Sequence, residues 1–159
     1  MKKIKHQLTE NTKLLQKVIL RHGGKFLILR RDGDSSSRPL AWDLPWGNSE
    51  WPETLENIGG LHKKDASREV FEETGIEINP SKFSIGNLVS FRTFFEAQKQ
   101  IFSVIVGWKI DLSNDFDEEI IKISDEHVDY KWITSDELED YDFGGVKGEF
   151  IIEMIKNSR

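Results

Sequence analysis

Asp65-Ala66-Ser67-Arg68-Glu69-Val70-Phe71-Glu72-Glu73-Thr74-Gly75-Ile76 is the stretch on which the fold turns. The spacing predicts a helix over 65–74, with Asp65 or a neighbour as N-cap and Gly75 ending it. On a wheel of about 100° per residue with Glu69 as zero, Glu72 falls near ~300° and Glu73 near ~40°. The three carboxylates share an arc of about 100°, while Ala66, Ser67, Val70, Phe71 and Thr74 take the opposite side and face a core. Arg68 stands beside the acids, within i,i+4 reach of Glu72. An acid run on a helix is most often a solvated face. Here, however, like charges are crowded at a cost of roughly a few tenths of a kcal/mol per pair, and one Arg is the only neighbouring cation. Hard divalent cations such as Mg²⁺ or Mn²⁺ want such oxygen donors, and a helix holds their spacing better than a loop.

Outward from this helix the chain alternates between strand and turn signals. Residues 13–21 and 25–31 read as two strands joined through His22-Gly23-Gly24, a hairpin signal. Residues 32–39 (DGDSSSRP) form a polar loop, and Trp42–Gly47 is a short extended piece because Pro45 biases Leu44 away from helix. Residues 48–64, with Pro52 and Gly59-Gly60, read as a long loop holding one short helical turn at most. Beyond Pro80, residues 83–95 carry two apolar stretches around Arg92. Residues 100–111 alternate with Phe102, Val104, Val106, Trp108 and Ile110 on one face, and Val128, Tyr130 and Trp132 repeat the pattern. Residues 135–138 and 149–156 look helical. Strands, a helix, more strands and a terminal helix make a mixed β-sheet with helices on its faces, an α/β class fold.

The chain's 159 residues fit one domain, 1–159, with 1–12 as a peripheral N-terminal segment. Its 37% hydrophobic content, with 5 Trp and 10 Phe, supplies a core, and mixed-sign charge argues against disorder. No apolar run approaches the ~18–20 residues of a membrane span, and the start lacks a signal-peptide core, so a cytoplasmic location is expected. Without cysteine there are no disulfides, thiolate metal sites or thiol nucleophiles. A net charge of −6 argues against broad nucleic-acid binding, yet a bound divalent cation would still admit a phosphate ligand. The histidines lack zinc-site spacing, no G-K-[ST] follows the Gly-Gly pairs, and there is no G-x-S-x-G elbow.

Arg68-Glu69-Val70-Phe71-Glu72-Glu73-Thr74-Gly75-Ile76 resembles the second half of the Nudix box, R-E-U-x-E-E-x-G-U with U aliphatic, at every specified position. The first half, G-x5-E, is similar to Gly47 followed by Glu53, with Glu50 where many members carry an acid. Trp42-Asp43-Leu44-Pro45 resembles the W-x-x-P lead-in, and Glu126–Trp132 the segment where many members place a loop glutamate. Two departures stand out. Fourteen residues separate Glu53 from Arg68 where the family pattern has seven, an insertion placed between Leu55 and Lys64. The usual P-G-G reads Pro45-Trp46-Gly47, and Gly reaches positive φ cheaply where Trp does not.

The resemblance implies a Nudix-type α/β/α sandwich and a Mg²⁺-dependent hydrolase, with Mn²⁺ as substitute, cleaving the pyrophosphate linkage of a nucleoside diphosphate derivative or triphosphate. It implies Glu69, Glu72 and Glu73 as metal ligands with the Trp46 carbonyl as a further contact. Glu69, Glu72 or Glu126 would take the water's proton, and Arg68 would orient a box carboxylate. Gly47, Glu53 and Gly75 are its structural positions. Arg92 among phenylalanines, and Trp51 on the loop, are candidate substrate contacts, although both also suit ordinary sheet or loop packing. The rivals are a nucleotide-sensing Nudix-like module without turnover and a diphosphate isomerase, the latter disfavoured because that branch uses a cysteine. The partner expected is a small nucleotide-type diphosphate, and many members pair, which makes a homodimer a candidate state.

Overall fold

A computed structural model describes residues 11–50, 52 and 59–159. Its strands are β1 (Asn11–His22), β2 (Lys25–Arg31), β3 (Trp42–Asp43), β4 (Trp46–Asn48), β5 (Leu88–Glu96), β6 (Ile101–Asp111) and β7 (His127–Ile133). Two helices, α1 (Lys63–Thr74) and α2 (Glu149–Asn157), flank the sheet. The sheet runs β3-β2-β1-β6-β5, with β4 also on β1 and β7 also on β2. β1 and β6 are parallel from Asn11↔Ile101 to Arg21↔Asp111, and every other pair is antiparallel, so the sheet is mixed as expected. Asn11 and Thr12 belong to β1, so the strand begins inside the segment expected to be peripheral.

Side-chain alternation sorts the core into two layers. Val18, Leu20, Leu27 and Leu29 pack with Ala66 and Val70 of α1, together with Trp108 and Ile110. Ile19, Phe26 and Ile28 point the other way, onto Ile151, Met154 and Ile155 of α2. The middles of β1 and β2 are apolar on both faces because each face carries a helix. The result is the α/β/α sandwich.

The β1–β2 hairpin closes on Gly23 and Gly24, both at positive φ (55° and 78°) with His22 opposite Lys25. A two-residue turn of that kind matches the twist of its strands, and glycine takes it without strain. The described ladder joins β1 to β2 at Arg21↔Phe26 and His22↔Lys25; farther along, β2 pairs β3 at Leu29↔Asp43 and β1 pairs β4 at Lys17↔Trp46. The chain from β3 through Pro45 to β4 thus fills the fork between β1 and β2. α1 begins two residues earlier than expected, at Lys63 after His62 in the left-handed region (φ 49°), so Asp65 sits in the first turn rather than at the cap. It ends as expected at Gly75, φ 75°, whose N–H donates to Phe71 O.

Candidate active site

α1 buries Ala66, Val70 and Thr74 against the sheet, and Glu73 goes in with them, 4% exposed. Position 73 lies three residues beyond Val70, on the edge of the apolar stripe, so the helix's tilt puts this acid under β4. Its Oε2 accepts the Trp46 N–H at 2.8 Å. That N–H is available because of the strand register. Val18 N donates to Pro45 O and Ser49 N to Leu14 O, so Trp46, opposite Lys17, falls on a non-bonded pair and turns N–H and C=O away from β1. The Trp46 carbonyl therefore opens on the same side as the N–H that holds Glu73. Trp46 keeps negative φ, so the P-W-G departure is accommodated in strand backbone. Burial pushes the Glu73 carboxyl well above its usual range, against the pull of the Trp46 N–H and of Lys17.

Glu69 lies over Gly47, where a Cβ would overlap its carboxyl group. Burial raises its pKa, Arg68 opposes, and Glu72 and Glu50 add to the rise. Arg68 spans the acids: Nη1 is 2.8 Å from Glu50, Nη2 2.8 Å from Glu69, and Nε 3.8 Å from Glu72. Its buried Nε has no hydrogen-bond partner. Arg68 Nη2 donates a hydrogen bond to Glu69 Oε1. Glu72 is exposed, and so is Phe71, which was expected on the core side. Phe71 sits at the wheel edge beyond Ser67, past the sheet's reach.

Behind α1, Lys122 N donates to Thr74 O and Ser124 N to Glu73 O, stitching the 122–127 loop to the helix's last turn. Glu126 is carried on that loop, exposed, with its carbonyl accepting Asp32 N, and its charge contributes to the rise at Glu73. His127 is buried with Nε2 3.9 Å from Glu73 Oε1, and burial lowers its pKa to about 4, so its ring is neutral near pH 7. Among the described residues no three acid or imidazole groups converge closely enough to hold an ion as they stand. Arg68 lies between Glu50, Glu69 and Glu72, and Glu73 is turned onto Trp46. The donor set itself is all carboxylate and carbonyl oxygen, which fits Mg²⁺ or Mn²⁺ and not a soft metal.

Two polar constellations beside the site escaped the sequence reading. Asp43 is fully buried and meets three cations: Lys17 Nζ at 2.6 Å, Arg38 Nη2 at 2.5 Å and Arg31 Nη1 at 3.2 Å. Burial alone would raise its carboxyl, but Lys17 foremost, then Arg38 and Arg31, bring it down to about 2. The Trp46 ring faces two of the same cations, 5.0 Å from Lys17 Nζ and 5.5 Å from Arg31 Cζ. Its π-face offsets positive charge that one carboxylate leaves uncompensated. Second, Gln16 Oε1 accepts the Trp108 indole N–H, while its Nε2 donates to Ser49 Oγ at 2.9 Å and His62 O at 3.1 Å. It clasps the two ends of the segment that carries the insertion. The available signal was Gln16-Lys17 standing inside the apolar run of β1.

Arg92 lies apart from the acid helix. Its guanidinium is 5.2 Å from the Phe150 ring and 3.4 Å from Glu153, both on α2, across the sheet from α1. Trp51 and Glu53, and residues 55–58 of the stretch assigned to the insertion, lie outside the described residues.

The family model of the NUDIX domain matches residues 17–154. Among solved structures, the MutT protein from Methanosarcina mazei Go1 is similar with a TM-score of 0.65 and 24% identity, over 94% of this chain and 96% of that one. The NUDIX domain of Shewanella oneidensis NrtR, complexed with ADP ribose, is similar with a TM-score of 0.64 and 16% identity, over 92% and 88%. A bifunctional NMN adenylyltransferase/ADP ribose pyrophosphatase from Francisella tularensis, complexed with AMP and a manganese ion, gives 0.59 and 19%, over 96% of this chain and 44% of that one. No curated protein matches the chain. The structural likenesses carry the fold, and the family match runs from the buried Lys17 to Met154 of α2, so the chain belongs to the NUDIX domain family.

Proposed function

We propose that the protein hydrolyses the pyrophosphate linkage of a nucleoside diphosphate derivative or nucleoside triphosphate with Mg²⁺, or Mn²⁺ in its place. The observation that carries this reading is the hydrogen bond from Trp46 N–H to Glu73, which ties the acid helix α1, bearing Glu69, Glu72 and Glu73, to the strand whose Trp46 carbonyl opens on the same side. These four residues would hold the cation. When bound, it would neutralise phosphoryl oxygens and lower the pKa of a bound water, which is the help an anionic diphosphate needs.

The chain's own residues divide the remaining work. Arg68 holds Glu69 by a charge-assisted hydrogen bond and so fixes which way that carboxylate faces. Trp46 N–H orients Glu73 in the same manner. Of the three candidate bases, Glu69 and Glu72 are both within reach of Arg68, whereas Glu126 reaches the site on a separate loop. We therefore assign the attacking water's proton to Glu126.

The test is phosphate and nucleotide release from a panel that includes ADP-ribose, other nucleoside diphosphate derivatives and triphosphates, with and without Mg²⁺. Glu72→Gln and Glu73→Gln should each lose metal-dependent turnover by orders of magnitude while keeping the circular dichroism of the parent. Near-parental rates in both would reject the ligand assignment. Binding of panel members without turnover at mildly alkaline pH would point to a sensing module instead.

A further inference from the structure

One buried side chain beside the acid helix has no part in the chemistry assigned above. His127 opens β7, and its ring reaches Glu73 because the strand is irregular at that point. Arg30 lies opposite Asp129 and Arg31 opposite His127, so Val128 is an extra residue bulged out of the ladder. Plain alternation from Tyr130 and Trp132, which pack in the α1 layer, would turn Val128 inward and His127 out. The bulge reverses both: Val128 is 51% exposed and His127 is buried. Bulges re-aim side chains in this way beside working sites.

The ring has a neighbour at each nitrogen. Nε2 faces Glu73 Oε1 at 3.9 Å, and the two side chains are 1% and 5% exposed. At that spacing the contact is electrostatic, longer than a hydrogen bond. Nδ1 is 3.3 Å from the Ser124 hydroxyl. A carboxylate calls for a donor, so the ring hydrogen is assigned to Nε2, and Nδ1 accepts from Ser124. Glu73 is then addressed from two sides, by the Trp46 N–H at Oε2 and by the imidazole N–H at Oε1. The same ring sits at the root of the turn that carries Glu126. His127 N donates to Ser124 O and closes that turn, while Ser124 N donates to Glu73 O and Glu126 O accepts Asp32 N.

We propose that His127 is a positioning residue for Glu73, bracing that carboxylate against the Ser124–His127 turn; the inference rests on the ligand set proposed above. The ring acts through Glu73 and not on the phosphoryl group. Partners of this kind behind a metal ligand set its direction, and losing one weakens metal binding by about ten- to a hundredfold.

The test is Mn²⁺ binding to the full chain, read from the electron paramagnetic resonance of the free ion. His127→Leu, which fills space and donates nothing, should bind Mn²⁺ about tenfold or more weakly, with the circular dichroism of the parent. His127→Gln, whose amide nitrogen can stand where Nε2 stood, should return to within about threefold of the parental affinity. A ring that only filled its space would let His127→Leu serve as well. Ser124→Ala should weaken binding several-fold alone and add nothing to His127→Leu, and it carries the test by itself if His127→Leu does not fold. Parental affinity in His127→Leu and Ser124→Ala, or no recovery in His127→Gln, overturns the role of His127 while Glu73→Gln still loses the ion. Parental Mn²⁺ binding in Glu73→Gln overturns the ligand set itself, and this inference with it.

Discussion

Gly47 leaves room for the Glu69 carboxyl group against β4, and any Cβ there would overlap it. Gly47→Ala should therefore move Glu69 off its Arg68 hydrogen bond while leaving the apolar layers intact. The expected outcome is a loss of turnover of at least about a hundredfold, as for misplaced catalytic groups, with a small change in melting temperature. Asp43 makes a different claim, on stability. Its loss leaves three cations near one another in the fork of the sheet, and breaking a buried pair of this kind costs about 3–5 kcal/mol. Asp43→Asn should show that drop in urea unfolding. The carboxyl is held at about 2 in the fold against an ordinary 3.8, so the unfolded chain takes up the proton first. Its contribution is full above pH 4 and fades as pH falls toward 2, amounting to about 2 kcal/mol. The same acid titration of Asp43→Asn should lack that component.

At the scale of elements, β2 was legible to the residue, and α1 was legible apart from its first two residues, because each carries a complete periodic signal with glycine punctuation beside it. Phe71 and Glu73 were misplaced relative to the sheet for one reason. A wheel gives the angle between residues but not which edge of the apolar stripe leans toward the neighbouring layer, and here the helix leans to the 73 side. The approach of Arg68 to Glu72 was readable from i,i+4 spacing, whereas the Asp43 hub joins residues 17, 31, 38 and 43, which no local period relates. The Gln16 clasp is likewise non-local. Gln16→Leu would orphan the buried Trp108 indole N–H and release Ser49 and His62, so unfolding in urea should report a loss of about 1–3 kcal/mol. Ser49→Ala, which removes a single acceptor, should cost about 1 kcal/mol or less.

Across the whole molecule, the sandwich depends on close approach between the sheet and its two helices. Gly107 of β6 sits directly under Met154 of α2, where an added Cβ would fall 2.6 Å from the Met154 sulfur. Gly107→Val should push α2 away and cost about 1–3 kcal/mol by overpacking, read as an earlier urea midpoint. Because α2 lies across the sheet from the acid helix, turnover per folded molecule should stay near the parental rate.

The clasp at Gln16 has an engineering corollary. Ser49 and His62 are tied at one point, and lengthening a loop whose ends are already joined costs only about 0.6 kcal/mol per doubling. Foreign peptides such as epitope tags or small reporter modules, spliced in there, should leave the host folded and the acid helix undisturbed. The enzyme thereby becomes a chassis with a ready-made splice point.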